Sequence, residues 1–228
     1  MKHAFGAGFA GLVLVVAPLA TAQNVPALQW EGMRKADWKA FDEAFVAPGV
    51  DFRPYTKVMI DPVEATFRRN WQRDYNRVNV SLERRISDEQ AQEILVQAQD
   101  GLEDAFVQAA RNAGYQIATA PGPDVLRLKV YLTDLDVHAP DLRTSSRDRT
   151  YAEEAGSGRL VLEIRDSASD ALLAGGIDKR DVGDMSFLMR RSSVTNRADF
   201  SRAFRRWAEF SVDALDGLGA KSPAKAAG

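Results

Sequence analysis

Apolar and polar positions alternate with period two in Tyr55-Thr56-Lys57-Val58-Met59-Ile60-Asp61-Pro62-Val63, the first strong strand signal in the chain. Val58 and Ile60 share one face of an extended segment, and Lys57 and Met59 share the other. Pro62 has no N–H for a ladder and pushes Asp61 out of helical conformation. The strand therefore ends, or meets a sheet edge, at Asp61-Pro62. Val63, Ala65 and Phe67 alternate again, so extension resumes after a kink. A longer alternation sets Leu126, Leu128, Val130 and Leu132 against Arg127, Lys129 and Tyr131. That is a half-buried strand with one wet face. The apolar parity switches at Thr133-Asp134-Leu135, which predicts a bulge or the end of pairing. Leu160, Leu162 and Ile164 form a further strand, Asp166–Asp170 turns, and Leu172–Lys179 returns antiparallel as a hairpin. Gly175-Gly176 inside the returning strand predicts a bulge or a close backbone approach.

Two stretches switch to a helical period. Ser87 and Gln90 have capping-box spacing, and Asp88 and Glu89 suit the positive helix start. Ala91, Ile94, Leu95, Ala98, Leu102, Phe106 and Ala109 make one apolar stripe, and Gly114 stops it. Near the end, a helix starting at Asn196 or Ala198 buries Phe200, Ala203, Phe204, Trp207, Ser211 and Leu215 and ends at Gly217 and Gly219. A looser pattern through Trp30, Met33, Trp38, Phe41 and Phe45 predicts a short helix over Arg34–Phe45. Arg68–Arg85 reads as a long surface loop anchored by Trp71 and Tyr75, and 139–158 and 183–197 read as loops.

The elements run strand, helix, strand, strand, strand, helix. The expected fold is α+β: a mostly antiparallel sheet with two long amphipathic helices packed on one face. The expected organisation is a signal peptide over 1–22, a leader over 23–54, one domain over 55–218, and a disordered tail over 219–228. The 228 residues, 45% of them apolar, suffice for one core.

Charge and the first residues change the picture more than composition does. Lys2, the apolar run Phe5–Ala17 and the small-residue site Ala20-Thr21-Ala22 form a secretory signal pattern, with cleavage after Ala22. A periplasmic or secreted protein is expected, with no transmembrane segment in the mature chain. A formal charge of −2 argues against a global nucleic-acid footprint, although Arg and aromatics interleave in 68–85. The absence of cysteine excludes disulfides, thiolate metal sites and a cysteine nucleophile.

The residues offer little chemistry. His138 is the sole histidine after cleavage, so neither a zinc site nor a Ser-His-Asp triad is indicated. Ser145, Ser146 and Ser157 lie in no nucleophile-elbow pattern. Asp178, Asp181 and Asp184 are too sparse for calcium. Asp134 with Asp136, and Glu153 with Glu154, are the carboxylate pairs that a hydrolase of an envelope polymer could use. No catalytic, cofactor or metal residue is assigned, and no cofactor is expected. Positive charge concentrates in Arg197, Arg202, Arg205 and Arg206, with Arg190 and Arg191 just before them. Two readings follow: a solvated face in which Arg205 pairs with Glu209, or a contact for an anionic partner.

The strand Tyr55–Val63, the turn Asp166–Asp170 with Leu172-Leu173-Ala174, and Asp178-Lys179-Arg180 occur in that order. Together they resemble the domain-of-unknown-function family 3313 of exported, often lipid-anchored, bacterial envelope proteins. The resemblance spans about Leu28 to Leu218. It implies a soluble periplasmic form here, because no cysteine follows the signal, and it carries no catalytic residues. Ser169-Asp170 stands where that hairpin often has a turn glycine. The reading is an uncharacterised periplasmic accessory or binding protein without enzyme activity, whose partner is an envelope protein or anionic surface. The alternative is the carboxylate hydrolase.

The strand parity makes a stability prediction. Leu128→Asp or Leu162→Asp should cost more than about 4 kcal/mol, because each buries an unpaired charge. Arg127 and Glu163, on the opposite face, are expected to tolerate replacement. Denaturant titration of the four variants measures the contrast, and equal midpoints would show the parity to be wrong.

Overall fold

The computed structural model describes residues 30–79, 85–138, 150–152, 155–183, 189–191 and 193–220. The chain opens with β1 (Arg34–Lys35), β2 (Glu43–Val46), β3 (Lys57–Ile60) and β4 (Glu64–Phe67). Two helices follow, α1 (Trp71–Val78) and α2 (Asp88–Asn112). Then come β5 (Gln116–Ile117), β6 (Val125–Val137), β7 (Thr150–Ala152), β8 (Gly156–Asp166), β9 (Leu172–Val182), β10 (Met189–Arg191) and α3 (Ser193–Gly217). The main sheet has the order β1-β2-β9-β8-β6-β3-β5, with β4 also on β6, and β7 pairs with β10 apart from it.

The fold is α+β, and its sheet is mostly antiparallel. β2, β9, β8 and β6 alternate in direction, whereas β3 and β4 run parallel to β6. β3 pairs with Val125–Leu128 and β4 with Tyr131–Leu135, so the kink at Asp61-Pro62 steps the chain along one edge of β6. Register explains the core. Leu128 stands opposite Ile164, Val130 opposite Leu162, and Leu132 opposite Leu160, all essentially inaccessible to solvent. The parity switch is a bulge between Thr133 and Asp136, with Asp134 at φ 52° and Leu135 and Val137 buried past it.

α2 and α3 cover this face. Ser87 Oγ accepts from Gln90 N–H at 3.2 Å, and Gln90 Oε1 accepts from Ser87 N–H at 3.0 Å, the capping box expected from the spacing. The helix ends as Tyr115 N–H reaches back to Ala110 O at 2.9 Å. Phe204 of α3 lies against Gly101 of α2, and the Tyr115 hydroxyl donates to Asp216 at 2.9 Å. The two helices therefore run in the same direction. Phe204, Trp207, Ala208, Val212 and Leu215 join Leu102 and Phe106 in one apolar cluster with the sheet.

Four expectations are corrected. The helix expected over Arg34–Phe45 is two strands, β1 and β2, and β2 extends the main sheet on β9. Its aromatics pack against glycines instead of forming a helical stripe. Ala44 and Phe45 stand opposite Gly176 and Gly175. A Cβ on Gly176 would lie 2.6 Å from the Phe41 ring, and one on Gly175 3.2 Å from the Trp30 ring. The close approach predicted for the glycine pair is thus a seat for rings from the leader, and the sheet begins before residue 55. The loop expected over Arg68–Arg85 contains α1, because Trp71 buries its ring against Phe67 at a centroid distance of 3.8 Å. α3 starts at Ser193, earlier than Asn196, and β10 lies just before it. Gly219 and Ala220 are not tail, since Ala220 is buried and its N–H bonds Leu215 O. Most of the 139–158 loop, part of the 183–197 loop, the signal segment and the rest of the tail lie outside the described residues.

The face away from α2 and α3 is less tolerant than alternation implies. Glu163 is 3% exposed and held by Arg165 at 2.9 Å. Arg127 Nε donates to both Asp61 oxygens at 2.9 Å and its Nη1 to Asp170 at 3.3 Å. Losing Arg127 takes the guanidinium from Asp61, and replacing Glu163 changes a buried, hydrogen-bonded side chain, so neither replacement is mild. Asp170 takes the left-handed conformation (φ 56°) at the hairpin turn, which is why a glycine suits that position elsewhere.

Two outcomes follow. Gly176→Ala should destabilise by about 1–3 kcal/mol, because the new methyl would lie 2.6 Å from the Phe41 ring and force it to shift. In a Phe41→Ala background most of that cost should disappear, and a double-mutant cycle in urea reads the difference. The second concerns alkali. Tyr55 donates to Asp166 at 2.9 Å, and desolvation, then this bond, pushes its hydroxyl up to about 12. A raised folded value means stability is whole below the ordinary value near 10 and lost as pH rises through about 12. Tyr55→Phe should flatten that alkaline limb in melts recorded across the range.

Candidate functional site

α3 turns Phe204, Trp207, Ala208 and Ser211 inward, and its outer side carries the arginines singled out above. Arg197, Arg202, Arg205 and Arg206 are all exposed. Arg202 binds Asp199, a buried carboxylate one turn back. The Arg205–Glu209 pair does not form. Among the described residues Arg205 and Arg206 make no hydrogen bond and no ion pair, although both stand on the helix nearest the core charge described next.

That charge is Asp178, 4% exposed on the helix-covered face of β9. The Trp207 indole N–H donates to it at 2.6 Å, and Arg180 closes on it from the same strand. Arg180 also donates to Ala40 O at 3.0 Å and lies 5.3 Å from the Phe210 ring centroid. A buried acid needs this company. Asp178 thereby belongs to the packing of α3, not to a calcium site with Asp181. Among the described residues no three His, Asp or Glu are grouped to hold a metal ion. Asp184 lies outside them.

The carboxylates considered for hydrolysis are drawn apart. Asp134, in the bulge, meets Arg159 of β8 at 3.2 Å. Asp136 meets Arg68, which follows β4 and also binds Asp74 at 3.0 Å. β8 and β4 flank β6 on opposite edges, so the two acids are engaged from opposite sides. His138 Nε2 is 3.9 Å from Asp136, beyond hydrogen-bond reach. Ser157 stands opposite Asp136 in the ladder. Ser145, Ser146, Glu153 and Glu154 lie outside the described residues.

Two concavities lie among the described residues. A groove of about 710 Å³ runs between the 36–41 turn and the last turns of α3, with Trp38, Phe41, Arg180 and Phe210 in its wall. A cleft of about 570 Å³ opens at the step between β3 and β4, lined by Asp61, Glu64, Gln99, Arg127, Lys129 and Tyr131. Desolvation, then the charges of Glu163 and Glu64, pushes the Tyr131 hydroxyl up to about 12. Sequence reading placed Arg127, Lys129 and Tyr131 on the wet face. It missed Asp61, Glu163 and Asp170 as their neighbours, because register alone brings those acids there. No helix among the described residues is long and apolar enough to cross a membrane.

A family model described as "Protein of unknown function (DUF3313)" matches residues 30–210. No curated protein matches the chain. Among solved structures, protein XCC0632 from Xanthomonas campestris is 12% identical, with 76% of this chain and 91% of that one covered and a TM-score of 0.40. The PelC dodecamer from Paraburkholderia phytofirmans is 12% identical, with 72% and 94% covered and a TM-score of 0.29. A neuraminyllactose-binding hemagglutinin homolog from Helicobacter pylori is 13% identical, with 74% and 89% covered and a TM-score of 0.29. At such identities and TM-scores nothing of those proteins' ligands or assemblies transfers to this chain.

Proposed function

The chain belongs to DUF3313, a family of proteins of unknown function, and on that premise we propose a non-enzymatic binding or accessory protein of the cell envelope. It is exported by the signal pattern over residues 1–22, and it docks on an anionic partner through the outer side of α3. The observation that carries this reading is the uneven use of charge. Asp61, Asp134, Asp136, Glu163 and Asp178 each bind an arginine of the fold. Arg205 and Arg206 stay exposed and pair with no acid among the described residues, in a chain of net charge −2. Unpaired arginines on a rigid helix are ready for bidentate contact with carboxylate or phosphate, and local charge steers such contacts despite a negative total. Hydrolysis by Asp134 and Asp136 is the weaker reading, since their arginines approach from opposite edges of β6.

Fractionation of cells at low and high salt tests the proposal. The parent should stay with its envelope partner at low salt and leave it at high salt. Arg202→Glu, Arg205→Glu and Arg206→Glu together should release it at low salt with the fold retained, at a lowered melting temperature because the buried Asp199 loses its arginine. A triple variant that fractionates like the parent would overturn the reading. A folded Asp134→Asn, Asp136→Asn variant should behave as the parent does. Loss of cellular function in that variant would put the hydrolase in its place.

A further inference from the structure

α1 carries a second set of arginines that the fold brings to the same end of the molecule. Trp71 and Tyr75 face inward, with Trp71 1% exposed. Arg73 and Arg77 stand one turn apart on the outer side, and Arg69 lies in the turn leading into the helix; all three are exposed. Arg73 binds its neighbour Asp74 at 3.1 Å with its own side chain 68% exposed. Arg69 and Arg77 form no ion pair among the described residues. Arg85, also exposed, is held beside them because Gln72 and Asn76 both donate to Ile86 O.

The position of this set follows from two contacts. The Trp71 indole N–H donates to Val137 O at 3.2 Å, at the last residue of β6. Val137 pairs with Gly156, and the Phe200 ring of α3 lies against Gly156. The first described turns of α3 and the start of α1 therefore flank one end of the β6–β8 ladder. Arg69, Arg73 and Arg77 join Arg197, Arg202, Arg205 and Arg206 around that end. Of the acids near them, Asp74 and Asp136 are held by Arg68, Asp199 by Arg202 and Asp88 by Gln72, while Glu209 stands exposed one turn on from Arg205.

We propose that this arginine-lined end seats on a bilayer surface containing anionic phospholipid headgroups, with α1 and the start of α3 as its two points of contact. The inference rests on the reading that the α3 arginines meet an anionic surface; it adds α1 and names that surface. Two observations favour lipid over an acidic protein. The charges are spread along two separate helices, and neither the groove nor the cleft includes any of them. A headgroup layer rearranges to meet such spacing, whereas a protein partner needs a shaped, desolvated centre.

The test is flotation of the full chain with phosphatidylcholine vesicles and with vesicles that also contain phosphatidylglycerol. The parent should float with the anionic vesicles alone and be released by salt. Arg69→Gln, Arg73→Gln and Arg77→Gln together should weaken binding roughly a hundredfold, and the α3 triple reversal by at least as much. Circular dichroism melts confirm that both variants remain folded. Undiminished binding by the α1 variant, beside loss in the α3 variant, would overturn this inference and leave the α3 contact standing. A parent that ignores anionic vesicles, while the α3 reversal still releases it from cell envelopes, would also overturn it in favour of an acidic protein partner. Vesicle binding that neither variant alters would sink both readings.

Discussion

β6 bonds to β8 along one edge and to β3, then β4, along the other. That strand carries a ladder on each edge while its side chains alternate between a dry face and a wet one. A one-residue slip would carry Leu128, Val130 and Leu132 into water and Arg127 and Lys129 into the core. The rest of the molecule answers to this constraint. α2 and α3 exist to cover the dry face, and the pairs Arg127–Asp61 and Arg165–Glu163 hold the wet one. The bulge at Thr133–Asp136 lets a thirteen-residue strand keep its apolar side inward after the twist has turned it.

Coverage by α3 is not purely apolar. Asp178 lies under the helix with Trp207 and Arg180, and Arg180 continues to Ala40 in the leader. One buried carboxylate thus ties together the last helix, an inner strand and the turn between β1 and β2. Apolar contacts alone would let α3 slide along its axis, whereas an indole N–H and a guanidinium aimed at one carboxylate set its position. The Tyr115 hydroxyl on Asp216 and Ala220 does the same for the far end of the two helices.

The distribution of charge separates the structural from the accessible. On the wet face and at the bulge, acids and arginines meet within the fold. At the end where α1 and α3 begin, arginines face solvent. The net charge of the chain hides that asymmetry, because it sums groups that screen one another with groups that do not. A negative total is compatible with a positive end.

Much of the fold could be read from the chain. The β6, β8 and β9 alternations, the bulge, the capping box at Ser87 and Gln90, and the glycine stop at Gly114 are local events. Each depends on residues within a turn or a strand length of one another. The arginines of α3 were legible for the same reason. The leader was not, because Trp30 and Phe41 choose their conformation against Gly175 and Gly176, more than a hundred residues away. The same holds for α1: a run rich in Arg and Asn reads as a loop until Trp71 finds Phe67 and Val137. What the sequence by itself determined is periodicity and capping, which short-range sterics and hydrogen bonds enforce. What only the tertiary structure decided is which strand is whose neighbour, which acid meets which arginine, and that two distant arginine clusters share one end. Those outcomes depend on register and crossing geometry, and no local pattern encodes them.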